Sequence, residues 1–335
     1  MASLGITGEA EPRSTYDASS AANRGAGTYP ITIEQNTLAK SNDAAGNYAF
    51  NLQPGALTIA KAALTLTADD QTREYGEANP ELTLTPTGLA YDDSVESSLS
   101  GSLLLSTTAT ATTNVGNHLI DLGIGTAVFA NYDVVQLVDG TLSVTKAPLT
   151  ITMEDATKIY GNPLAAGYPY VMTGFKNGET EAGLRTAGAL SGTVLYSTAA
   201  TQASPVGTYT LNPLSVDLTA TNYSFNTLAP GVLTITPRGL VVSASPSREY
   251  GLSNDPSNIT WNTVITGFVN GDTQVGVVTG EPALIGVPGI TANAGIYAIT
   301  LAQGTLSAGP NYDLTTPATT YNAANFTIRQ ATSLR

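Results

Sequence analysis

The sequence predicts a mainly β protein built from tandem β-sandwich-like domains, Ig-like or β-grasp-like, arranged end to end as a rod. Apolar residues alternate with small or hydroxyl residues along short segments such as 297–301 and 233–236. That alternation is the period-two pattern of half-buried strands. Strand candidates also recur between Gly, Pro, Asn and Asp turn signals, which is typical of a sandwich.

An internal repeat organises the chain. Four motifs recur in the same order: a strand-like run, Tyr-Gly, a Thr-Gly segment with an acidic turn, and Asn-Tyr before a closing apolar run. In the three copies the run lies at 61–67, 146–152 and 237–243, Tyr-Gly at 75–76, 160–161 and 250–251, the Thr-Gly segment at 87–94, 173–180 and 266–273, and Asn-Tyr at 131–132, 222–223 and 311–312.

Residues 1–60 carry only the second half of this pattern, with NYAF at 47–50 and GALTIAK at 55–61. We therefore predict a half-repeat over 1–60 and complete repeats over 61–145, 146–236 and 237–330, called the first, second and third repeat below. The opening half of a repeat runs from its first strand through the Thr-Gly segment, and the closing half is the remainder. Each complete repeat has the size of a small domain.

Short crossings join the predicted domains. The segments between Val144 and Leu149 and between Ile235 and Leu240 contain no Gly/Ser linker. Pro148 and Pro237 stiffen these crossings because proline fixes φ. Strands that begin and end at opposite poles of a sandwich would then stack the domains as a rod.

One helical turn is expected after the Thr-Gly segment of the first repeat. Val95 and Leu99 are spaced i, i+4 there, and Asp92 or Asp93 could cap the turn.

Composition excludes several classes of function. The 335 residues contain no cysteine and one histidine, which rules out disulfides, thiolate nucleophiles and Cys- or His-rich metal sites. The formal net charge of −13 argues against nucleic acid and anionic membranes. No stretch is long and apolar enough to span a membrane, and the N-terminus does not read as a signal peptide. We expect the chain to be a segment of a longer protein.

The whole pattern of motifs resembles the YGX-type MBG repeats of large bacterial surface proteins and adhesins. The resemblance covers about 60–330, with a partial copy before it. The third repeat departs from the pattern at its opening, where Pro237-Arg238 replaces Lys-Ala. The resemblance implies a β-rich extracellular module and no catalytic residues.

Each candidate site residue has a structural interpretation that we favour. His118 aligns with Tyr29, Tyr209 and Tyr297 and is expected to be an aromatic-sized core residue. The acids after the Thr-Gly motif (Asp92, Asp93, Glu179, Glu181 and Asp272) could ligate calcium but form no recognised calcium loop, so we expect solvated turns. Trp261 is the only tryptophan, so we do not expect an aromatic surface on which a sugar could stack. We therefore predict no catalytic, cofactor-binding or metal-binding residues and no cofactor.

The sequence favours a non-enzymatic stalk segment of a secreted or surface-attached bacterial adhesin, outside the cell. The alternative is a binding module that recognises a glycan or host protein through variable loops. The variable loops would lie in segments such as 251–262 and 281–294. No nucleic-acid partner and no membrane insertion are expected.

The half-repeat is expected to expose apolar faces and unpaired strand edges. Its apolar set comprises Tyr29, Ile31, Ile33, Tyr48, Phe50, Leu57 and Ile59. Three outcomes are open: the segment is disordered, packs on the first repeat, or takes a strand from another copy of the chain. We favour partial order with docking by strand addition.

Overall fold

The structure is a computed structural model that describes residues 5–41, 48–315 and 317–331. Asn47, the first residue of the predicted NYAF motif, lies outside the described residues. The chain divides into two compact units, Met1–Ala147 and Pro148–Arg335. The first unit contains the half-repeat and the first repeat, and the second unit contains the second repeat from Pro148 onward and the third repeat.

The half-repeat forms two small antiparallel sheets. Strands β1 and β4 pair with each other, and β3 lies between β2 and β5 in the other sheet. Its strands are β1 (Gly5–Thr7), β2 (Glu11–Ser14), β3 (Gly27–Glu34), β4 (Ala39–Ser41) and β5 (Gly55–Ile59).

The first repeat is a mixed β-sandwich. Its elements are β6 (Ala62–Ala68), β7 (Gln71–Glu74), β8 (Leu84–Thr87), α1 (Val95–Ser98), β9 (Leu99–Ser100), β10 (Leu104–Ser106), β11 (Gly116–Gly123), β12 (Val128–Phe129), β13 (Tyr132–Val138) and β14 (Gly140–Thr145). One sheet has the order β13-β6-β8 and the other β10-β11-β14-β7. The opening half therefore contributes strands to both sheets, and it joins both closing strands in parallel, as β6 with β13 and β7 with β14.

The second repeat has the same topology. Its sheets have the orders β17-β15-β22 and β16-β23-β20-β19. Its elements are β15 (Ala147–Met153), β16 (Ala156–Ile159), β17 (Tyr170–Thr173), α2 (Glu181–Thr186), β18 (Leu190–Ser191), β19 (Leu195–Ser197), β20 (Gly207–Leu214), β21 (Thr219–Ala220), β22 (Tyr223–Ala229) and β23 (Gly231–Thr236).

The third repeat repeats this arrangement with its opening strand broken in two. Its sheets include β27-β25-β33 and β26-β34-β30-β29. Its elements are β24 (Arg238–Gly239), β25 (Val241–Ala244), β26 (Ser247–Glu249), a 3₁₀ turn (Pro256–Asn258), β27 (Thr263–Thr266), α3 (Gln274–Val277), β28 (Val278–Thr279), β29 (Ala283–Ile285), β30 (Gly295–Ala302), β31 (Ser307–Ala308), β32 (Tyr312–Asp313), β33 (Thr320–Tyr321) and β34 (Ala324–Arg329).

Alternating side chains of the central strands form the cores. Leu64 and Leu66 on β6 are fully buried, as are Leu142 on β14 and Ile120 on β11. Threonines fill the alternate positions of β6, where the side chains point away from the core. The mainly β fold predicted from the period-two pattern is therefore confirmed.

The predicted helical turn is present, but its cap is a different residue. Ser94 is the N-cap of α1, and its side chain accepts a hydrogen bond from the Ser97 N–H in a capping box. Asp93 does not cap the helix because its carboxylate binds a tyrosine of the closing half.

Each complete repeat buries one cation two residues before its Tyr-Gly motif. Arg73, Lys158 and Arg248 are 6%, 8% and 2% exposed. Backbone carbonyls of the closing half accept their hydrogen bonds, as Thr110 does from Arg73, Gln202 from Lys158 and Gly289 from Arg248. Desolvation lowers the pKa of Lys158. The cation thus ties the Tyr-Gly turn to a loop of the opposite half.

Replacing the cation of the third repeat is expected to destabilise that repeat. Arg248→Met leaves the Gly289 carbonyl oxygen and the Asn254 side chain without their donor, which we expect to cost about 1–3 kcal/mol. Urea unfolding monitored by the fluorescence of Trp261, the only tryptophan, reports on this repeat.

Arg248→Lys is the matched control, because the second repeat has a lysine at this position and Lys158 still donates two hydrogen bonds. We expect Lys to lose less than half as much as Met. Equal losses for the two variants would show that guanidinium packing, and not the carbonyl contacts, accounts for the effect.

Candidate functional site

The motifs that mark the repeat in sequence meet in space as an acid–tyrosine pair. The acid six residues after the motif threonine accepts a hydrogen bond from the tyrosine of Asn-Tyr in every complete repeat. The pairs are Asp93 with Tyr132 at 2.6 Å, Glu179 with Tyr223, and Asp272 with Tyr312 at 2.8 Å.

The same tyrosine hydroxyls accept hydrogen bonds from backbone N–H groups of the Thr-Gly segment. The donors are Ala90 at 3.0 Å, Lys176 at 2.9 Å and Val269 at 3.1 Å. The three tyrosines are 1–6% exposed. The Thr-Gly segment of the opening half is thereby held on the Asn-Tyr motif of the closing half.

The expectation that these acids form solvated turns is therefore wrong for three of them. Asp93, Glu179 and Asp272 are hydrogen-bond acceptors within their repeats. Glu181 also has partners, since it accepts from the Tyr170 hydroxyl at 2.7 Å and from Arg185 Nε at 2.8 Å. Asp92 is exposed.

The second and third repeats meet at a joint built from the same motifs, which we call the second–third joint. The Tyr160 hydroxyl of the second repeat donates to Asp272 of the third repeat at 3.1 Å. The Tyr160 ring packs edge-on against Tyr312, with 5.5 Å between the ring centroids. Asp272 thus binds a tyrosine from each of the two repeats.

Asn311 connects the two repeats through its two oxygens. Its backbone carbonyl accepts from the Arg238 N–H of its own repeat at 2.9 Å, and its side-chain Oδ1 accepts from the Val206 N–H of the second repeat at 2.9 Å. The Arg238 guanidinium adds hydrogen bonds to the Tyr160 carbonyl and the Asn162 side chain.

The glycine of Tyr-Gly is required for close packing at this joint. Gly161 has φ +81°, and a Cβ there would clash with the Val269 side chain. Only glycine combines that left-handed conformation with such a close approach.

A second joint of the same kind connects the half-repeat to the first repeat, and we call it the half-repeat joint. Asn131 Oδ1 accepts from the Ala26 N–H at 2.9 Å, and the bond spans 105 residues, as does the Asn311 bond to Val206. Arg24 forms an ion pair with Asp93 at 3.2 Å, and its guanidinium lies over the Tyr91 ring at 4.0 Å.

The half-repeat joint has a cleft at the position that a tyrosine side chain occupies in the second–third joint. The half-repeat has no Tyr-Gly motif, and a space of about 190 Å³ lies beside Asp93 and Tyr132. Those two residues are the counterparts of Asp272 and Tyr312, which contact the Tyr160 side chain.

The remaining sequence candidates have structural surroundings. His118 is half-buried rather than a core residue, and its Nε2 lies 2.8 Å from the Asn114 carbonyl. Each aligned tyrosine likewise donates its hydroxyl to the backbone carbonyl four residues before it, as Tyr209 does to Pro205. Trp261 is half-buried.

The described part of the chain holds no cluster of three or more His, Asp or Glu residues with metal-binding geometry. Across residues 5–41, 48–315 and 317–331, no helix is long and apolar enough to cross a membrane.

Sequence reasoning missed the joints and the buried cations, although both left a signal. The acid stands six residues after the motif threonine in all three copies, at 93, 179 and 272. A basic residue stands two positions before each Tyr-Gly, at 73, 158 and 248.

Because of the acid–tyrosine pair, the free energy of unfolding should fall as the pH becomes alkaline. Burial, followed by the effect of the Asp272 carboxylate, raises the pKa of Tyr312 to about 12, against about 10 in the unfolded chain. Between these values the folded state holds the proton that the unfolded state releases, so stability is lost as pH rises. We expect about 1.4 kcal/mol to be lost from this group by pH 11.

Tyr312→Phe has no hydroxyl to ionise, so its unfolding free energy should fall less between pH 9 and pH 11 than that of the unchanged protein. Urea unfolding at both pH values, followed by Trp261 fluorescence, measures the difference. Parallel pH profiles for the two proteins would contradict the assignment.

Comparison with known proteins agrees with the repeat pattern. The model of the family described as "MBG domain (YGX type)" matches residues 64–143, 149–234 and 240–327. No curated protein matches. A solved structure of Drosophila N-cadherin EC1-4 matches with 9% identity over 91% of this chain and 83% of that chain, at a TM-score of 0.25, which is too low to define a shared fold. Three tandem matches over about three quarters of the sequence establish that the chain belongs to the YGX-type MBG domain family.

Proposed function

We propose that the chain is a non-enzymatic, load-carrying segment of a bacterial adhesin outside the cell, in which the joints make consecutive MBG repeats a stiff spacer. The motif side chains at the two joints hold the neighbouring domains together. Catalysis, cofactors and membrane insertion have no part in this proposal.

The observation that supports it is the recurrence of one contact at two separate joints. Asn131 and Asn311 each accept from an N–H of the preceding segment at 2.9 Å. Each joint is reinforced by an arginine, through Arg24 on Asp93 in one and Arg238 on Tyr160 in the other. Side chains engaged in this way are not available to bind a substrate.

Composition is compatible with an extracellular setting. A chain without cysteine needs no oxidative folding, and its net charge of −13 keeps it soluble and away from anionic surfaces.

A second candidate function is ligand binding by the third repeat, and one observation favours it. Arg248 holds the variable segments 251–262 and 281–294 together, through Asn254 on one and Gly289 on the other. Leu252 and Ile290 on these segments are 39% and 52% exposed. Loops positioned by a rigid scaffold commonly carry binding residues, and these two apolar side chains are accessible to a ligand.

The spacer proposal predicts an elongated particle. A compact protein of this length would have a radius of gyration of about 20 Å, and small-angle scattering of the full chain should give a clearly larger value. A radius near the compact value would contradict the proposal.

A glycan array separates the two candidate functions. We expect no reproducible binding to the full chain if it is only a spacer. Binding that is lost in a Leu252→Asp/Ile290→Asp variant would instead favour recognition by the loops of the third repeat.

A further inference from the structure

We propose that Asn270-Gly271 is a site of spontaneous deamidation whose rate is set by opening of the second–third joint, and that the isoaspartate formed there keeps the joint open. Opening means loss of the contacts between the second and third repeats. The proposal depends on the geometry of this joint and not on the function of the chain. Its chemistry requires no reactant except water.

The site is a tight turn between two parts of the joint. Asn270 and Gly271 have φ of +56° and +85°. The Asp272 N–H closes the turn by donating to the Val269 carbonyl at 3.0 Å. Asn-Gly is favoured in such a turn because both central residues need positive φ. The first repeat forms the corresponding turn with Tyr91 at φ +58°, so the fold does not require an amide side chain at this position.

The two reacting groups of this turn are unengaged. Asn270 and Gly271 are both exposed. Within the described residues, neither the Asn270 side-chain amide nor the Gly271 N–H forms a hydrogen bond. Glycine has no side chain to hinder attack by its own nitrogen. Asparagine followed by glycine is for this reason especially prone to lose its amide.

The reaction is an intramolecular substitution. The Gly271 nitrogen attacks Asn270 Cγ and loses its proton, and the side-chain amide nitrogen leaves as ammonia. The succinimide ring that results then adds one water molecule. Water breaks either the bond from Cγ to nitrogen, which gives aspartate, or the bond from the main-chain carbonyl carbon to nitrogen, which gives isoaspartate. In isoaspartate the main chain runs through Cβ and Cγ, so it is one methylene longer.

The closed joint restrains this reaction. Ring closure requires rotation about the Asn270 backbone, which breaks the turn. Before the turn, the Val269 N–H donates to the Tyr312 hydroxyl at 3.1 Å. After it, Asp272 accepts a hydrogen bond from Tyr160 of the second repeat at 3.1 Å. Both ends of the turn are therefore fixed while the joint is closed, and the reaction takes place from the open joint.

The product acts on the same contacts. An extra methylene between Val269 and Asp272 changes the spacing of the two residues. The Val269 side chain packs closely against Gly161 of the second repeat, so it cannot shift while the joint is closed. The new carboxylate also lies two residues from Asp272, and like charges at close range repel. Isoaspartate therefore favours the open joint.

The second repeat carries the other Asn-Gly pair of the sequence, at 177–178. Asn177 and Gly178 have φ of +54° and +72°. The Glu179 N–H donates to the Lys176 carbonyl at 2.9 Å, so the turn is closed in the same way. Among the described residues, Tyr160 forms no hydrogen bond with this turn. The pair at 177–178 thus serves as an internal reference for the pair at the joint.

Peptide mapping by mass spectrometry, after incubation of the full chain at pH 8, measures conversion at both pairs. We expect isoaspartate at Asn270. Tyr160→Phe removes a hydrogen bond to a charged group, and it should raise the rate at Asn270 about tenfold because the rate follows the population of the open joint. The rate at Asn177 should not change.

Arg248→Met is the matched control for stability. It lowers the stability of the third repeat through contacts with Asn254 and Gly289, and it leaves the side chains of the joint in place. We expect this variant to deamidate at Asn270 at the rate of the unchanged chain.

Hydrogen exchange tests the effect of the product. The Val206 N–H of the second repeat donates to Asn311 of the third repeat, so its exchange reports opening of the joint at a distance in sequence from the modified turn. We expect faster exchange at Val206 in the isoaspartate form, isolated by ion-exchange chromatography. Asn270→Gly tolerates positive φ and has no amide to lose, so its exchange at Val206 should stay unchanged through the same incubation.

Three results would overturn the proposal. The first is no isoaspartate at Asn270 in the unchanged chain or in Tyr160→Phe, when a synthetic peptide of residues 266–275 forms it under the same conditions. The second is equal acceleration by Tyr160→Phe and Arg248→Met, which would show that the reaction takes place from the unfolded repeat. The third is unchanged exchange at Val206 in the isoaspartate form.

Discussion

The hydrogen bond from the Asn-Tyr hydroxyl to the acid after Thr-Gly is the contact on which the organisation of each repeat depends. It joins an opening half to a closing half across 39 residues for Tyr132 and Asp93, and across 40 residues for Tyr312 and Asp272. In the third repeat the pair also accepts a hydrogen bond from the preceding repeat. Asp272 uses the same carboxylate oxygen for Tyr160 of that repeat.

The buried cations complete this arrangement within each repeat. Burying a charge is unfavourable unless its donors are satisfied. Arg73 meets this condition with the Asn79 side chain and the backbone carbonyls of Glu74 and Thr110, and Asn79 in turn donates to the Ala109 carbonyl. The Tyr-Gly turn is thus held against a loop of the closing half.

The fold could be predicted from the sequence because its signals are local. Period-two runs and the spacing of Tyr-Gly, Thr-Gly and Asn-Tyr identify the strands and the copies without any knowledge of tertiary contacts. The joints could not be predicted from the sequence. An Asn-Tyr pair does not reveal that the Asn131 side chain accepts a hydrogen bond from an N–H group 105 residues away. The capping residue of α1 was predicted wrongly for the same reason. Asp93 is a good capping residue in isolation, but its carboxylate is engaged by Tyr132, and Ser94 takes the cap.

The central claim is that these contacts hold the two domains at each joint in one fixed orientation. A chain without native cysteine accepts spin labels at chosen sites, and Val216 in the second repeat and Val275 in the third are 77% and 95% exposed. Pulsed dipolar spectroscopy between labels at these two positions should give one narrow distance distribution, which should broaden when Asn311→Ala and Tyr160→Phe remove the joint contacts. A broad distribution in the unchanged joint, or no effect of the two substitutions, would contradict the claim.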